Sequence, residues 1–162
     1  QYDQYKENGS PPFILTLAKL EGKCFGARME KFAREIFNFD KPTDSSHDHK
    51  KNGKTFEQKS GRWYKCGGDW KWQHIEMKHE WEYLLLLGVD YLDFKFYIAS
   101  RDIVEQLIKE GIITGQGKKI NGKAQAQQAY WFRRSDFKKK NKNITDYFTT
   151  INNEEDLIDY IS

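Results

Sequence analysis

Apolar residues recur at helical spacing in the first quarter of the chain. Five of them fall at i, i+3, i+4, i+7 and i+8: Met29, Phe32, Ala33, Ile36 and Phe37. Because this spacing gives a helix one apolar face, it predicts an amphipathic helix from about residue 26 to residue 39. A shorter apolar group over residues 13–20 predicts another helix, which ends near Gly22. The polar residues 1–12 before it predict an N-terminal arm.

Further along, the pattern changes to that of β-strands. Asn52-Gly53 separates two short segments, and both residues tolerate the positive φ of a tight turn, so we expect an antiparallel hairpin there. The run Tyr83–Val89 is apolar throughout, as in a strand that is buried on both faces. Alternation over residues 94–98 predicts a neighbouring strand. Over residues 60–82, which are rich in tryptophan, the pattern does not decide between helix, strand and loop.

The second half of the chain predicts fewer regular elements. Ser100 can cap a helix that runs to about Glu110 and stops at Gly111. Residues 114–128 have the composition of a loop, residues 130–132 that of a last strand, and residues 154–161 that of a closing helix. Together these elements predict a single α/β domain over residues 1–162, with a mixed central β-sheet flanked by α-helices.

Composition narrows the class of protein. The chain has 162 residues, of which 31% are charged and 15% aromatic, a mixture too aromatic for a disordered tail. The apolar run over residues 83–89 is far shorter than the roughly 20 residues that cross a bilayer, so we expect no transmembrane helix. Two cysteines are too few for a disulfide framework, which makes a cytosolic compartment the default expectation.

The hairpin carries the residues with the clearest chemistry. Glu57 and Lys59 are two apart on the second strand and point to the same face, and the antiparallel partner can bring Asp48 beside them. Two adjacent carboxylates repel each other unless a cation lies between them, and Mg²⁺ prefers oxygen ligands. A metal-bound water can act as a nucleophile, and an ammonium group can offset charge in the transition state. These residues therefore favour metal-dependent hydrolysis of phosphodiesters.

In the sequence, Asp48 is followed by eight residues and then by Glu57-Gln58-Lys59, after an amphipathic helix and before a buried strand. This arrangement resembles the catalytic hairpin of the PD-(D/E)xK nuclease superfamily, of which type II restriction endonucleases are the largest known group. The resemblance covers roughly residues 26–110, the expected catalytic core, and implies a restriction-endonuclease-like fold. It also implies that Asp48 and Glu57 hold Mg²⁺, which Mn²⁺ can replace, and that Lys59 assists the attacking water.

Two further residues extend the candidate site. Family members often add a glutamate from the preceding helix, and at about 100° per residue Glu30 borders the apolar face whereas Glu35 points away from it. The alternative for Glu30 is an exposed helix residue flanked by basic neighbours. Some members also place a glutamine after the strand that carries the lysine, and Gln73 is the candidate for that position.

Basic residues are unevenly distributed, and the phosphate backbone of double-stranded DNA would attract them. Many of them lie in a basic region over residues 112–145, whose glutamines can also donate to base edges, and others surround the hairpin. The residues expected to contact DNA are Lys50, Lys51, Arg62, Lys118, Lys119, Lys123, Gln125, Gln127, Arg133, Arg134, Lys138 and Lys139. Because a palindromic site needs two symmetric cuts, the resemblance also implies a homodimer.

Three alternatives stay open. The charged residues of the hairpin can be a solvent-facing ladder of cross-strand pairs, each worth about 0.2–1 kcal/mol. The chain can be a nucleic-acid-binding module without catalysis, or an RNA endonuclease on the same fold. The histidines and cysteines lack the close spacing of a zinc site, apart from His74 and His79, so we expect no zinc.

Overall fold

The computed structural model describes residues 1–117 and 129–162. The α-helices in these residues are α1 (Tyr2–Glu7), α2 (Pro12–Lys19), α3 (Gly22–Phe37), α4 (Arg101–Lys109) and α5 (Glu154–Ile161). The strands are β1 (His49–Lys51), β2 (Lys54–Arg62), β3 (Lys71–Ile75), β4 (Tyr83–Val89), β5 (Phe94–Ser100), β6 (Thr114–Gly115), β7 (Tyr130–Arg133) and β8 (Thr149–Ile151). Two 3₁₀ segments, Arg134–Lys140 and Ile144–Asp146, follow β7.

Five strands form a central mixed sheet in the order β1-β2-β4-β5-β8. β2 and β4 are parallel, and the other neighbouring strands are antiparallel. Leu85 and Leu87 of β4 pack on one face of this sheet, in a core with α1, α2, α3 and α5, and Leu84 and Leu86 pack on the other face with α4. The structure therefore confirms a mixed α/β architecture in which helices flank a central mixed sheet, with residues 83–89 as its buried strand.

The predicted hairpin is present. β1 and β2 pair antiparallel, with His49 opposite Phe56 and Lys51 opposite Lys54. The turn between them has φ of 50° at Asn52 and 76° at Gly53, which are the left-handed angles that a tight hairpin turn requires. The turn sequence thus sets the register that determines which residue of β1 lies opposite each residue of β2.

The N-terminal segment differs from the expectation. Residues 1–12 are not an arm, because they include α1 and the fully buried side chain of Tyr5. The Tyr5 hydroxyl donates to the carbonyl of Trp63 at 3.0 Å, so a polar group within an otherwise apolar core is satisfied. The amphipathic helix is confirmed as α3, which begins about four residues earlier than predicted and ends before Asn38, a residue in the left-handed conformation.

A second sheet of three strands, in the order β3-β7-β6, accounts for part of the undecided tryptophan-rich segment. The predicted strand over residues 130–132 is β7 of this second sheet, and it is not the last strand, because β8 follows it and pairs with β5. β3 passes close to β2 at Gly61, where an added Cβ would lie 2.7 Å from the carbonyl oxygen of Lys71. A glycine at this position therefore allows the two sheets to meet.

The predicted loop over residues 114–128 is described only in part. Its first two residues are β6, and residues 118–128 lie outside the described residues. Five residues that we expect to contact DNA are among them: Lys118, Lys119, Lys123, Gln125 and Gln127. In the part of the chain that the structure describes, no helix is long and apolar enough to cross a membrane.

Candidate active site

Asp48 lies directly before β1, and extending the hairpin register by one residue puts it opposite Glu57. Two backbone contacts hold it there. The N–H of Asp48 donates to the carbonyl of Phe56 at 2.8 Å, and the N–H of Gln58 donates to Oδ2 of the Asp48 carboxylate, also at 2.8 Å. The hairpin therefore brings the carboxyl groups of Asp48 and Glu57 together, as the sequence predicts.

Glu57 is buried, with only 5% of the residue exposed to solvent, and burial disfavours the charged form of its carboxyl group. Burial is the largest cause of a rise in the pKa of Glu57 to about 9, and the hydrogen bond and negative charge of Asp48 raise it further. The nearby charge of Lys59 acts in the opposite direction. At neutral pH and without a cation, burial and the neighbouring Asp48 therefore favour the protonated form of Glu57.

Lys59 and Glu30 complete this group of charges. Glu57 and Lys59 lie opposite Leu84 and Leu86 of β4, so both point to the same face of the central sheet. Glu30, on α3, is half-buried, and burial followed by the charge of Asp48 raises its pKa, while Lys59 lowers it. Glu30 is therefore not the exposed helix residue of the alternative interpretation, and it interacts electrostatically with both Asp48 and Lys59.

His79 is a residue of this site that sequence reasoning missed. Its Nδ1 lies 3.6 Å from Oε2 of Glu57, and its Nε2 lies 2.8 Å from Oε2 of Glu76. The loop that carries it is held by Arg101, whose guanidinium donates to the carbonyl oxygens of Met77, His79 and Trp81. His79 is 22 residues from Glu57 in the sequence, in a segment without regular periodicity, so no local pattern placed it beside Glu57.

His49 supports the same strand from the opposite face of the sheet. It is fully buried, its ring stacks on Phe39, and its Nε2 lies 2.6 Å from Oε1 of Gln58. Burial is the main cause that lowers the pKa of His49 to about 4, so the ring is neutral at pH 7 and donates through Nε2 to the amide oxygen. The Gln58 amide in turn donates to the hydroxyl of Ser60 at 3.2 Å.

A cleft of about 630 Å³ opens beside these residues, between α3, β2 and β3. Four cations and one acid line it: Lys23, Lys59, Arg62, Lys71 and Glu30. Asp48 and Glu57 do not line the cleft, but Gln58, which lines it, follows Glu57 in the chain and donates its N–H to Asp48. The cleft is large enough for part of a polymeric ligand, and the excess of cations suits an anionic one.

Gln73 also lines the cleft, from an irregular part of β3. Its side chain is exposed, and its Oε1 accepts from Nε2 of Gln116 at 3.3 Å. The structure places Gln73 at the cleft with Glu30 and Lys59.

Two of the residues that we expected to contact DNA have other roles in the structure. Lys51 is buried, and its ammonium group lies 2.9 Å from a carboxylate oxygen of Glu154 and 3.0 Å from the carbonyl oxygen of Asn38. Arg62 donates to the carbonyl oxygens at the C-terminal end of α2, at 2.6 Å to Leu20 and 3.0 Å to Leu17. The Lys51 ammonium group is occupied within the protein, so we correct the prediction for Lys51; Arg62 caps α2 through Nη1 and also lines the cleft, so its contact with DNA stays a prediction.

The remaining predicted DNA contacts among the described residues are at the surface. Arg133 and Lys139 both pair with Asp136, at 3.0 Å and 3.2 Å. Arg134 stacks on the ring of Trp63, with 4.6 Å between the guanidinium carbon and the ring centroid. Lys50 is half-buried and Lys138 is exposed.

The donor set at the carboxyl pair fits a hard divalent cation. Across residues 1–117 and 129–162, no group of three or more His, Cys, Asp or Glu side chains is arranged to hold a metal ion. An ion at the pair of Asp48 and Glu57 would therefore have two protein carboxylates and oxygens of water or substrate. This is how Mg²⁺ is usually bound in enzymes that act on phosphates.

Comparison with protein-family models, with curated proteins and with solved structures finds no match to this chain.

Proposed function

We propose that this protein is a Mg²⁺-dependent endonuclease that hydrolyses phosphodiester bonds of double-stranded DNA, on a restriction-endonuclease-like fold. The observation that carries the proposal is the buried contact between the carboxyl groups of Glu57 and Asp48, with Lys59 on the same face of the strand. A solvent-facing ladder of charges would not place one carboxyl group at 5% exposure beside another. Such burial is costly unless a proton or a cation compensates it.

Each residue has a distinct task in this proposal. Asp48 and Glu57 would hold Mg²⁺, which, when bound, supplies an activated water and charge neutralisation at the scissile phosphate. Lys59 stabilises negative charge that develops on the phosphate, and it favours the ionised form of Glu57. The backbone N–H of Gln58 fixes the Asp48 carboxylate, and Glu30 adds a further carboxyl at the cleft wall.

The cleft supports a nucleic acid as the substrate. Lys23, Lys59 and Lys71 line it, and exposed basic residues such as Lys138 lie in the 3₁₀ segment that follows β7 of the second sheet. A polyanion that binds to several such lysines releases counterions, so its affinity is expected to fall steeply with salt. The implied homodimer is part of the proposal, since two symmetric cuts require two sites.

The test is a plasmid-nicking assay with Mg²⁺ or Mn²⁺ and with excess chelator. We expect nicking only with the metal, and we expect Glu57→Ala and Lys59→Ala each to reduce its rate by about 100-fold or more. Lys54→Ala is the matched control, because Lys54 is on the same strand and its ammonium pairs with Glu82 at 3.7 Å, away from the site. Nicking that survives either site substitution, or that does not need metal, contradicts the proposal.

Assays on the same purified protein distinguish the two alternative functions, an RNA endonuclease and a nucleic-acid-binding module without catalysis. Equal rates on RNA and DNA at matched salt, or a preference for RNA, would favour an RNA endonuclease. DNA binding without cleavage under any metal condition would favour a non-catalytic module.

A further inference from the structure

The irregularity in β3 is a β-bulge at the cleft. Trp72 pairs with Phe132 and Ile75 pairs with Tyr130, so Gln73 and His74 together oppose a single residue of β7. His74 has φ of 62°, in the left-handed region that side chains other than glycine rarely adopt. Bulges and strained residues of this kind redirect side chains and concentrate at functional sites. Here the bulge leaves both side chains exposed.

A second glutamine holds the bulge in place. Oε1 of Gln116, just after β6, accepts from the backbone N–H of His74 at 2.8 Å, and its Nε2 donates to Oε1 of Gln73 at 3.3 Å. The oxygen of the Gln73 amide therefore already accepts one hydrogen bond, whereas its NH₂ group has no partner among the described residues and is available to a ligand. The interaction links two strands of the second sheet and fixes the direction of the Gln73 side chain.

The bulge shares the cleft with two residues of the proposed active site, Glu30 and Lys59. Gln73 and His74 line the cleft together with Glu30 and Lys59, and Lys71 from the same strand adds a cation. A DNA duplex whose backbone is at Lys59 would therefore present nearby bases to the bulge. Side chains that read bases need fixed orientation and hydrogen-bonding groups of defined type, and the amide of Gln73 has both.

We propose that Gln73 and His74 read the major-groove edge of a base pair close to the cut, with guanine as the preferred base. This inference depends on the proposed function, because it takes DNA as the substrate of the cleft. Guanine presents two acceptors, O6 and N7, on its major-groove edge. The NH₂ of Gln73 and a ring N–H of His74 are two donors on adjacent residues, which match those acceptors, whereas adenine offers one acceptor and one donor there.

The test uses a plasmid library with a randomised segment. Wild-type protein is incubated with the library in Mg²⁺, and the cut ends are sequenced. In a parallel sample with chelator, the DNA that binds to the protein is isolated and sequenced. The test variants are Gln73→Ala and His74→Gly. Glycine accepts a positive φ without strain, so His74→Gly removes the imidazole and leaves the bulge intact. Gln106→Ala is the control, because Gln106 is exposed on α4 and contacts Glu110.

We expect the wild type to prefer guanine at one position near the cut. Both test variants should reduce that preference by about 5- to 100-fold, while the preferences at other positions stay unchanged and both proteins remain folded. His74→Gly carries the test if Gln73→Ala does not fold. An unchanged base preference in both variants, at whatever rate, overturns the inference.

The two proposals fail in different ways. If the wild type binds preferred sequences in chelator but never cuts, the proposed catalysis is wrong. A weaker base preference in the two variants would still support base reading by the bulge. If the wild type neither cuts nor selects, both proposals are overturned.

Discussion

Oδ2 of Asp48 accepts a hydrogen bond from the backbone N–H of Gln58 at 2.8 Å. Gln58 lies between Glu57 and Lys59 on β2, so this bond fixes one carboxylate at the strand that carries the other two ionisable groups. The side chain of Gln58 is itself held by His49 from the opposite face of the sheet. The arrangement of the site thus depends on backbone pairing in the hairpin more than on long, mobile side chains.

The first prediction concerns the stability of the metal-free protein. The pKa of Glu57 rises from 4.5 to about 9 on folding, so between these pH values the folded chain holds a proton that the unfolded chain has released. The free energy of unfolding therefore falls as the pH rises through this range. We expect Glu57→Gln to be more stable than the wild type by at least about 1 kcal/mol at pH 8, and to lose this advantage near pH 4.

Urea unfolding in chelator across pH 4–9 measures this difference. Glu35→Gln, at an exposed position of α3, is the control and should follow the wild type. A Glu57→Gln advantage that is independent of pH would contradict the proposed burial of a shared proton.

The second prediction concerns His49, for which the free energy of unfolding rises with pH instead of falling. The pKa of His49 falls from 6.5 to about 4 on folding, mainly through burial, so between these values the unfolded chain binds a proton that the folded chain excludes. The folded state therefore keeps its full free energy of unfolding above pH 6.5, and part of this free energy is lost as the pH falls toward 4. Because glutamine does not bind this proton, we expect His49→Gln to make the free energy of unfolding less dependent on pH, by about 1.4 kcal/mol per pH unit in this window. Unfolding measured at pH 4.5, 5.5 and 6.5 tests it, and an unchanged acid slope would contradict it.

A third prediction separates structural from DNA-contacting lysines. Lys51→Ala leaves the Glu154 carboxylate without its partner, and since Glu154 is partly exposed we expect a loss of about 1–3 kcal/mol in the free energy of unfolding. DNA affinity of the folded fraction should not change. Lys138→Ala should leave stability unchanged and reduce the salt dependence of DNA binding by about one counterion. Melting curves and binding isotherms at several salt concentrations distinguish the two lysines, and the reverse pattern would contradict the assignment.

The fourth prediction compares two glutamates of α3. Because Glu30 is half-buried and interacts with Asp48 and Lys59, we expect Glu30→Gln to reduce the Mg²⁺-dependent nicking rate by about 10-fold, less than the change at Glu57. Glu35→Gln should nick at the wild-type rate. Equal rates for the two variants would remove Glu30 from the site.

Periodic and turn signals predicted the parts of the fold that depend on local sequence. The apolar run of β4, the Asn52-Gly53 turn and the apolar face of α3 each specify their element within a few residues of chain. The same local register brings Asp48 opposite Glu57, which is why the carboxyl pair could be predicted.

Features that depend on distant contacts were not predictable in this way. α1 is held by Tyr5, whose hydroxyl bonds to a carbonyl 58 residues away. His79 reaches Glu57 because Arg101, on α4, holds its loop. The bulge of β3 depends on Gln116, 42 residues after His74. None of these relationships leaves a periodic pattern in the sequence.

Whether Asp48 and Glu57 hold a metal ion together is tested by the anomalous-scattering map of a crystal soaked in Mn²⁺ at a pH near 9, where Glu57 can ionise. We expect one Mn²⁺ peak that is coordinated by carboxylate oxygens of both Asp48 and Glu57. A map with no peak at this pair, or with Mn²⁺ bound elsewhere while the two carboxyl groups remain in contact with each other, would contradict it.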